Sequence, residues 1–74
     1  MPKLPRVTSG EMVKALTRAG FVSHHQTGSH LTMIHPNGTR LVVPMHGRTL
    51  GVGLTHALIK QAGLTMEEFV ALLR

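Results

Sequence analysis

Hydrophobic and polar positions change rhythm along this chain, from a helical period to an alternating one and back. Met12, Val13, Leu16 and Ala19 recur at helical spacing while Lys14 and Arg18 fall on other faces, which predicts an amphipathic helix over Ser9–Ala19. Its start is doubly marked. Thr8 and Glu11 have the T-x-x-E spacing of a capping box, and Val7 and Met12 occupy the hydrophobic-staple positions on either side. Gly20 supplies the stop, because a residue without a Cβ accepts the left-handed backbone that closes a helix.

From Phe21 to Val43 the pattern is that of strands. Phe21–Gln26 is short and β-prone, Thr27-Gly28 is turn chemistry, and His30–His35 forms a second strand. Pro36-Asn37-Gly38 signals a hairpin into a third strand, Thr39–Val43, which Pro44 ends. With Asn37-Gly38 as a two-residue turn, Ile34 is expected opposite Leu41, Met33 opposite Val42, and position 45 opposite His30. Alternation then sets Leu31, Met33 and Val42 on one face, expected to pack against helices. His30, Thr32 and Ile34 fall on the other face, which Ile34 and Leu41 make partly apolar.

Met45–Gly53 is a connector rich in glycine and polar residues. Helical spacing of Leu54, Ala57, Leu58 and Gln61 predicts a second helix over Leu54–Ala62, with Gly63 as its stop. The punctuation of the first helix then repeats: Thr65 and Glu68 form another T-x-x-E box, with Leu64 and Phe69 at the staple positions. A terminal helix, Met66–Leu73, is expected to bury Phe69, Val70 and Leu73. The order α-β-β-β-α-α predicts an α+β fold with a three-stranded antiparallel sheet and helices on one face. Residues 1–74 read as a single domain, with no internal repeat, low-complexity tract or linker.

Charge narrows the partners. Eight Lys and Arg face three acidic residues, all glutamates, for a net charge of +5. The basic residues, from Lys3 to Arg74, are spread along the sequence, so folding must assemble any basic surface, and phosphate is its natural partner. Several classes are disfavoured. The chain has no cysteine for a disulfide framework, and no aspartate for a serine–histidine–aspartate triad. All the glutamates stand at helix starts, where capping accounts for them. Gly51-Val52-Gly53 is not followed by the Gly-Lys-Ser/Thr of a phosphate-binding loop. Without Trp or Tyr, and with both Phe residues assigned to the core, bound RNA must be recognised through backbone and shape. No apolar run approaches the ~18–20 residues of a membrane span. Met1–Thr8 lacks the apolar stretch of a signal peptide, so a cytoplasmic location and no membrane partner are expected.

Six histidines are the candidate chemistry: His24, His25, His30, His35, His46 and His56. They include no HExxH or H-x-H pair, and the sheet region carries no carboxylate, so no metal site and no cofactor are expected. His35 and His56 read as exposed polar residues. His30 differs by context. It follows Gly28, which permits a positive φ or a close approach to a ligand, and Ser29, whose hydroxyl and amide can both bond a phosphate oxygen. An imidazole is the side chain best suited to moving a proton at neutral pH. His46, followed by Gly47-Arg48, comes within reach of the same site in the register above.

Together these fragments resemble the HicA toxins, the ribonuclease half of prokaryotic type II toxin–antitoxin pairs. The resemblance covers nearly the whole chain: Ala19-Gly20-Phe21 after an amphipathic helix, Thr27-Gly28-Ser29-His30, His35-Pro36-Asn37-Gly38, Val43-Pro44-Met45-His46-Gly47, and Ile59-Lys60-Gln61-Ala62-Gly63-Leu64-Thr65. Each is short, and the order and spacing carry the match. Thr49–Gly53 is more glycine-rich than the family pattern, and His56 stands where a basic residue is more usual. The resemblance implies a fold like the double-stranded RNA-binding domain and a catalytic role for the histidine of the Gly-Ser-His turn, here His30. It also implies cleavage of messenger RNA and neutralisation by a HicB-type antitoxin.

The expected activity is therefore endoribonuclease action at His30 without a required metal. Gly28, Ser29, His24, His46, Arg48 and Lys60 are the candidate substrate contacts, and His46 and His24 the candidates for a second proton-transfer group. The alternative is a small double-stranded-RNA-type module that binds without cutting, since fold alone does not establish function. A histidine-based metal binder is the third reading.

Overall fold

Local punctuation shapes the helices. In the computed structural model, which describes residues 5–74, α1 spans Ser9–Arg18, β1 Val22–Thr27, β2 His30–Ile34, β3 Arg40–Pro44, α2 Val52–Gln61 and α3 Met66–Leu72. Lys3 and the first half of the Met1–Thr8 segment lie outside the described residues. Both capping boxes form. The Glu11 N–H donates to Thr8 Oγ1 at 3.2 Å and the Thr8 N–H to Glu11 Oε1 at 2.9 Å; the Thr65–Glu68 pair repeats this at 3.1 and 2.8 Å. Gly20 and Gly63, at φ 104° and 74°, close α1 and α2. Beyond them the N–H groups of Phe21 and Leu64 donate back to the carbonyls of Leu16 and Ile59, folding two apolar side chains over the helix ends.

The sheet is antiparallel in the order β1-β2-β3. Leu31, Met33, Leu41 and Val43 point inward and join Met12, Leu16, Leu58 and Phe69 in the buried core, so the helices cover one face. The β2–β3 register differs by one residue from the sequence expectation: Met33 pairs with Leu41, Thr32 with Val42, and His30 with Pro44. The reason is the loop. The His35 N–H donates to the Thr39 carbonyl at 2.9 Å, so three residues, Pro36-Asn37-Gly38, separate the closing pair. Gly38 takes φ 93°, which suits a turn followed by a left-handed residue, and Asn37 Oδ1 accepts from the Thr39 N–H at 2.9 Å. A one-residue slip exchanges faces. Leu41 is therefore in the core, and Val42, expected inside, stands 45% exposed on the outer face.

The α2 face is also rotated by a residue. Thr55, Leu58 and Ile59 are buried, while Leu54 is exposed and Ala57 and Gln61 face solvent. Thr55 can sit inside because its hydroxyl donates to the Gly51 carbonyl at 2.9 Å. In α3 Phe69 is fully buried, whereas Val70 and Leu73 are half-buried. Arg18 Nη1 donates to the Leu72 carbonyl at 2.8 Å and to that of Arg74, tying the end of α3 to α1.

His35 departs from the exposed position expected of it. It is half-buried, its ring edge-on to Phe21 at 5.0 Å between centroids, and its Nδ1 accepts from the Asn37 N–H at 3.1 Å. A Cβ on Gly20 would lie 2.9 Å from its Nε2, so glycine there serves both the helix end and the imidazole resting on it.

Candidate functional site

Thr27 and His30 close a two-residue turn made of Gly28 and Ser29. Only Gly28 takes a positive φ, 57°, the sign pattern of a II′ turn, and that is why glycine precedes serine here. Gly28, Ser29 and His30 are all exposed, and among the described residues, chain neighbours apart, nothing lies within 4 Å of where a Cβ on Gly28 would be. The backbone is thus open to a ligand at the point where the imidazole stands. His30 alternates with the inward Leu31, which puts it on the outer face, flanked by Thr27 on β1 and Pro44 on β3.

A second segment is held against this turn. The Met45 N–H donates to the Ser29 carbonyl at 2.5 Å, continuing the ladder one residue past β3. Ser9, buried in the first turn of α1, donates its hydroxyl to the Pro44 carbonyl at 2.5 Å and accepts from the His46 N–H at 3.1 Å. His46 then accepts at Nδ1 from the Arg48 N–H at 3.2 Å, which leaves Nε2 as its free nitrogen. Both His46 and Arg48 are exposed at the sheet end that carries the Gly28-Ser29-His30 turn.

Ser9 is a positioning residue that sequence pattern missed, because its place after the helix cap gave no hint of a tertiary bond. Ser9→Ala leaves the Pro44 carbonyl and the His46 N–H without their partner, and is expected to lower stability by about 1–3 kcal/mol. Calorimetric melting of the variant checks this, and an unchanged midpoint would show that the clasp contributes nothing.

The remaining candidates are spread out. His24 is the extra residue of a β-bulge between Ser23 and His25. It borders an apolar depression with Val22, Ile34, His35 and Pro36, at the end of the sheet away from the Gly28–His30 turn. Lys60 lies exposed in the last turn of α2, within the helical layer rather than on the outer sheet face. Two residues not singled out as contacts do share the face with His30. Arg40 pairs with Ile34, and His25 pairs with Thr32. Neither could be assigned a face without the loop length and the bulge.

Among the described residues no helix covers this outer face, and Val22 and Val42 are 63% and 45% exposed there, beside a half-buried Ile34. Among the described residues, no three of His, Cys, Asp and Glu come together as metal ligands would. Glu11 and Glu68 are occupied by their capping boxes. Also among the described residues, no helix is long and apolar enough to cross a membrane.

The arrangement is therefore a solvent-exposed imidazole on an open glycine turn, with a second histidine and an arginine pinned alongside, in a basic chain. A search of the curated proteins returned no match. Among protein-family models, the one described as the HicA toxin of bacterial toxin–antitoxin systems matches residues 9–64, from the first residue of α1 past the end of α2. The matched span contains the whole sheet, the Gly28-Ser29-His30 turn and the clasped Pro44–His46 segment, and on that extent the chain belongs to the HicA toxin family.

Proposed function

We propose that the protein is an endoribonuclease that cuts messenger RNA, using His30 and no required metal, and that a HicB-type antitoxin neutralises it. The observation that carries this reading is the exposed imidazole of His30 beside the open Gly28-Ser29 backbone, in a chain belonging to a toxin family. The ribose 2′-hydroxyl attacks the neighbouring phosphorus, and His30 transfers one of the protons. A single well-placed group of this kind contributes roughly 10²–10⁴ in rate.

Amides of the Gly28-Ser29 turn, the free Nε2 of His46 and the Arg48 guanidinium are the phosphate contacts at the cleavage site. Lys60, in the last turn of α2 within the helical layer, meets the nucleic acid backbone away from the cleavage site. The α-β-β-β-α succession supports a likeness to the double-stranded RNA-binding domain, and so a substrate gripped by backbone and shape. The setting for messenger RNA is the cytoplasm.

The test is incubation of the purified protein with messenger RNA in EDTA. Fragmentation is the expected result. RNA that stays intact while bound would instead identify a binding module of the double-stranded-RNA type.

The antitoxin blocks the toxin by covering His30 and the outer sheet face. Val22, Ile34 and Val42 give that face an apolar centre which is wetted in the free protein, and the net charge of +5 favours rapid capture by an acidic partner. Ile34→Asp places an unpaired carboxylate in this interface, so antitoxin binding is expected to weaken by more than ~1 kcal/mol. Titration calorimetry reads this directly. Unaltered affinity, or hydrogen-exchange protection confined to the helices, would rule out direct blockade.

A further inference from the structure

An in-line transesterification needs two proton transfers on opposite sides of one phosphorus, and His30 supplies one. The 2′-oxygen loses its proton as the O2′–P bond forms, and the 5′-oxygen gains one as the P–O5′ bond breaks, leaving a 2′,3′-cyclic phosphate and a 5′-hydroxyl. No oxidant or reductant enters, and the two protons balance. The sequence alone suggested His24 or His46 for the second transfer. The structure sets His24 at the far end of the sheet, and engages His46 Nδ1 with the Arg48 N–H.

We infer that His25 is the second proton-transfer residue, an inference that rests on the nuclease reading above. His30 pairs with Thr27, and His25, two residues before Thr27 and paired with Thr32, is the diagonal neighbour of His30 on the same outer face. Diagonal neighbours across antiparallel strands are about 7–8 Å apart, within reach of long side chains. That spacing suits two imidazoles that grip one phosphate from its two sides, each by a hydrogen bond of about 2.6–3.2 Å. Both histidines are exposed, and neither belongs to the core that the helices cover. Thr32, directly opposite His25 and two residues on from His30 along β2, is 9% exposed.

The β-bulge explains how His25 comes to this face. In a regular strand, Phe21 and His25 are an even number of residues apart and would share a face. Phe21 is 2% exposed in the core, so a regular β1 would have turned His25 inward. The extra residue at His24 reverses the alternation, keeping Phe21 in the core and His25 outside with His30.

The test is the pH dependence of single-turnover RNA cleavage in EDTA for wild type and His25→Ala. Two groups acting in opposite protonation states give wild type a bell-shaped profile. His25→Ala is expected to lower the rate by ~10²–10⁴ and to remove one limb of the bell. Loss of the alkaline limb makes His25 the acid, and loss of the acidic limb makes it the base; either supports the inference. A rate equal to wild type, or a uniformly lower rate with both limbs kept, overturns it. Wild type that cuts no RNA overturns the nuclease reading and this inference together, whereas a cutting wild type beside an equally active His25→Ala overturns this inference alone.

Discussion

Cells expressing the His30→Ala variant are expected to grow, while those expressing the wild type arrest. The exposed His30 belongs to neither the core nor a cap, and its loss should alter stability by no more than about 0.5 kcal/mol, the usual range for surface substitutions. Under the proposed nuclease reading, loss of a proton-transfer group costs roughly 10²–10⁴ in rate, and growth is expected to resume. Calorimetric melting and growth curves together make the check. A variant that melts far below wild type would show His30 to be structural, and a folded variant that still arrests growth would remove it from the chemistry.

Phe69→Ala is expected to have the largest effect on stability, a loss of about 3–5 kcal/mol. Phe69 is the only buried residue of α3 and is wholly inaccessible to solvent. A helix as short as α3, seven residues, does not persist in water without docking. The total stability of a domain is commonly about 5–15 kcal/mol, and small domains bury the least surface, so this single truncation removes much of the margin. Urea unfolding measures it. A midpoint equal to that of wild type would show that α3 is not anchored through Phe69.

Helix ends were the most legible part of the fold. Both T-x-x-E boxes and both closing glycines act through residues three to five apart, so local sequence contains all the partners. Faces were less legible. Pro36-Asn37-Gly38 signalled a hairpin correctly, but whether two or three residues fill the loop depends on how His35 and Thr39 bond, and that single residue exchanged Leu41 and Val42 between core and surface. In α2 the pattern favoured Leu54 over Thr55, because a threonine that bonds its own helix is indistinguishable in sequence from one that faces water.

The candidate site divides in the same way. Gly28-Ser29-His30 is contiguous, and its turn was readable from the glycine. The approach of His46 rests on Ser9, 37 residues away, and on the Met45–Ser29 bond. The placement of His25 rests on a bulge. Bulges depend on how a strand reconciles a core residue at one end with a turn at the other, and no short motif announces that. His35 shows the converse: a histidine read as exposed packs against Phe21 because Gly20 leaves room for its ring.

The most direct measurement for the central claim is end-group analysis of RNA fragments made by the purified protein in EDTA, run beside His30→Ala. The expected result is a 2′,3′-cyclic phosphate at each upstream end and a 5′-hydroxyl at each downstream end for wild type, with no fragments from the variant. Fragments carrying 3′-hydroxyl and 5′-phosphate ends, or equal cutting by His30→Ala, would contradict it.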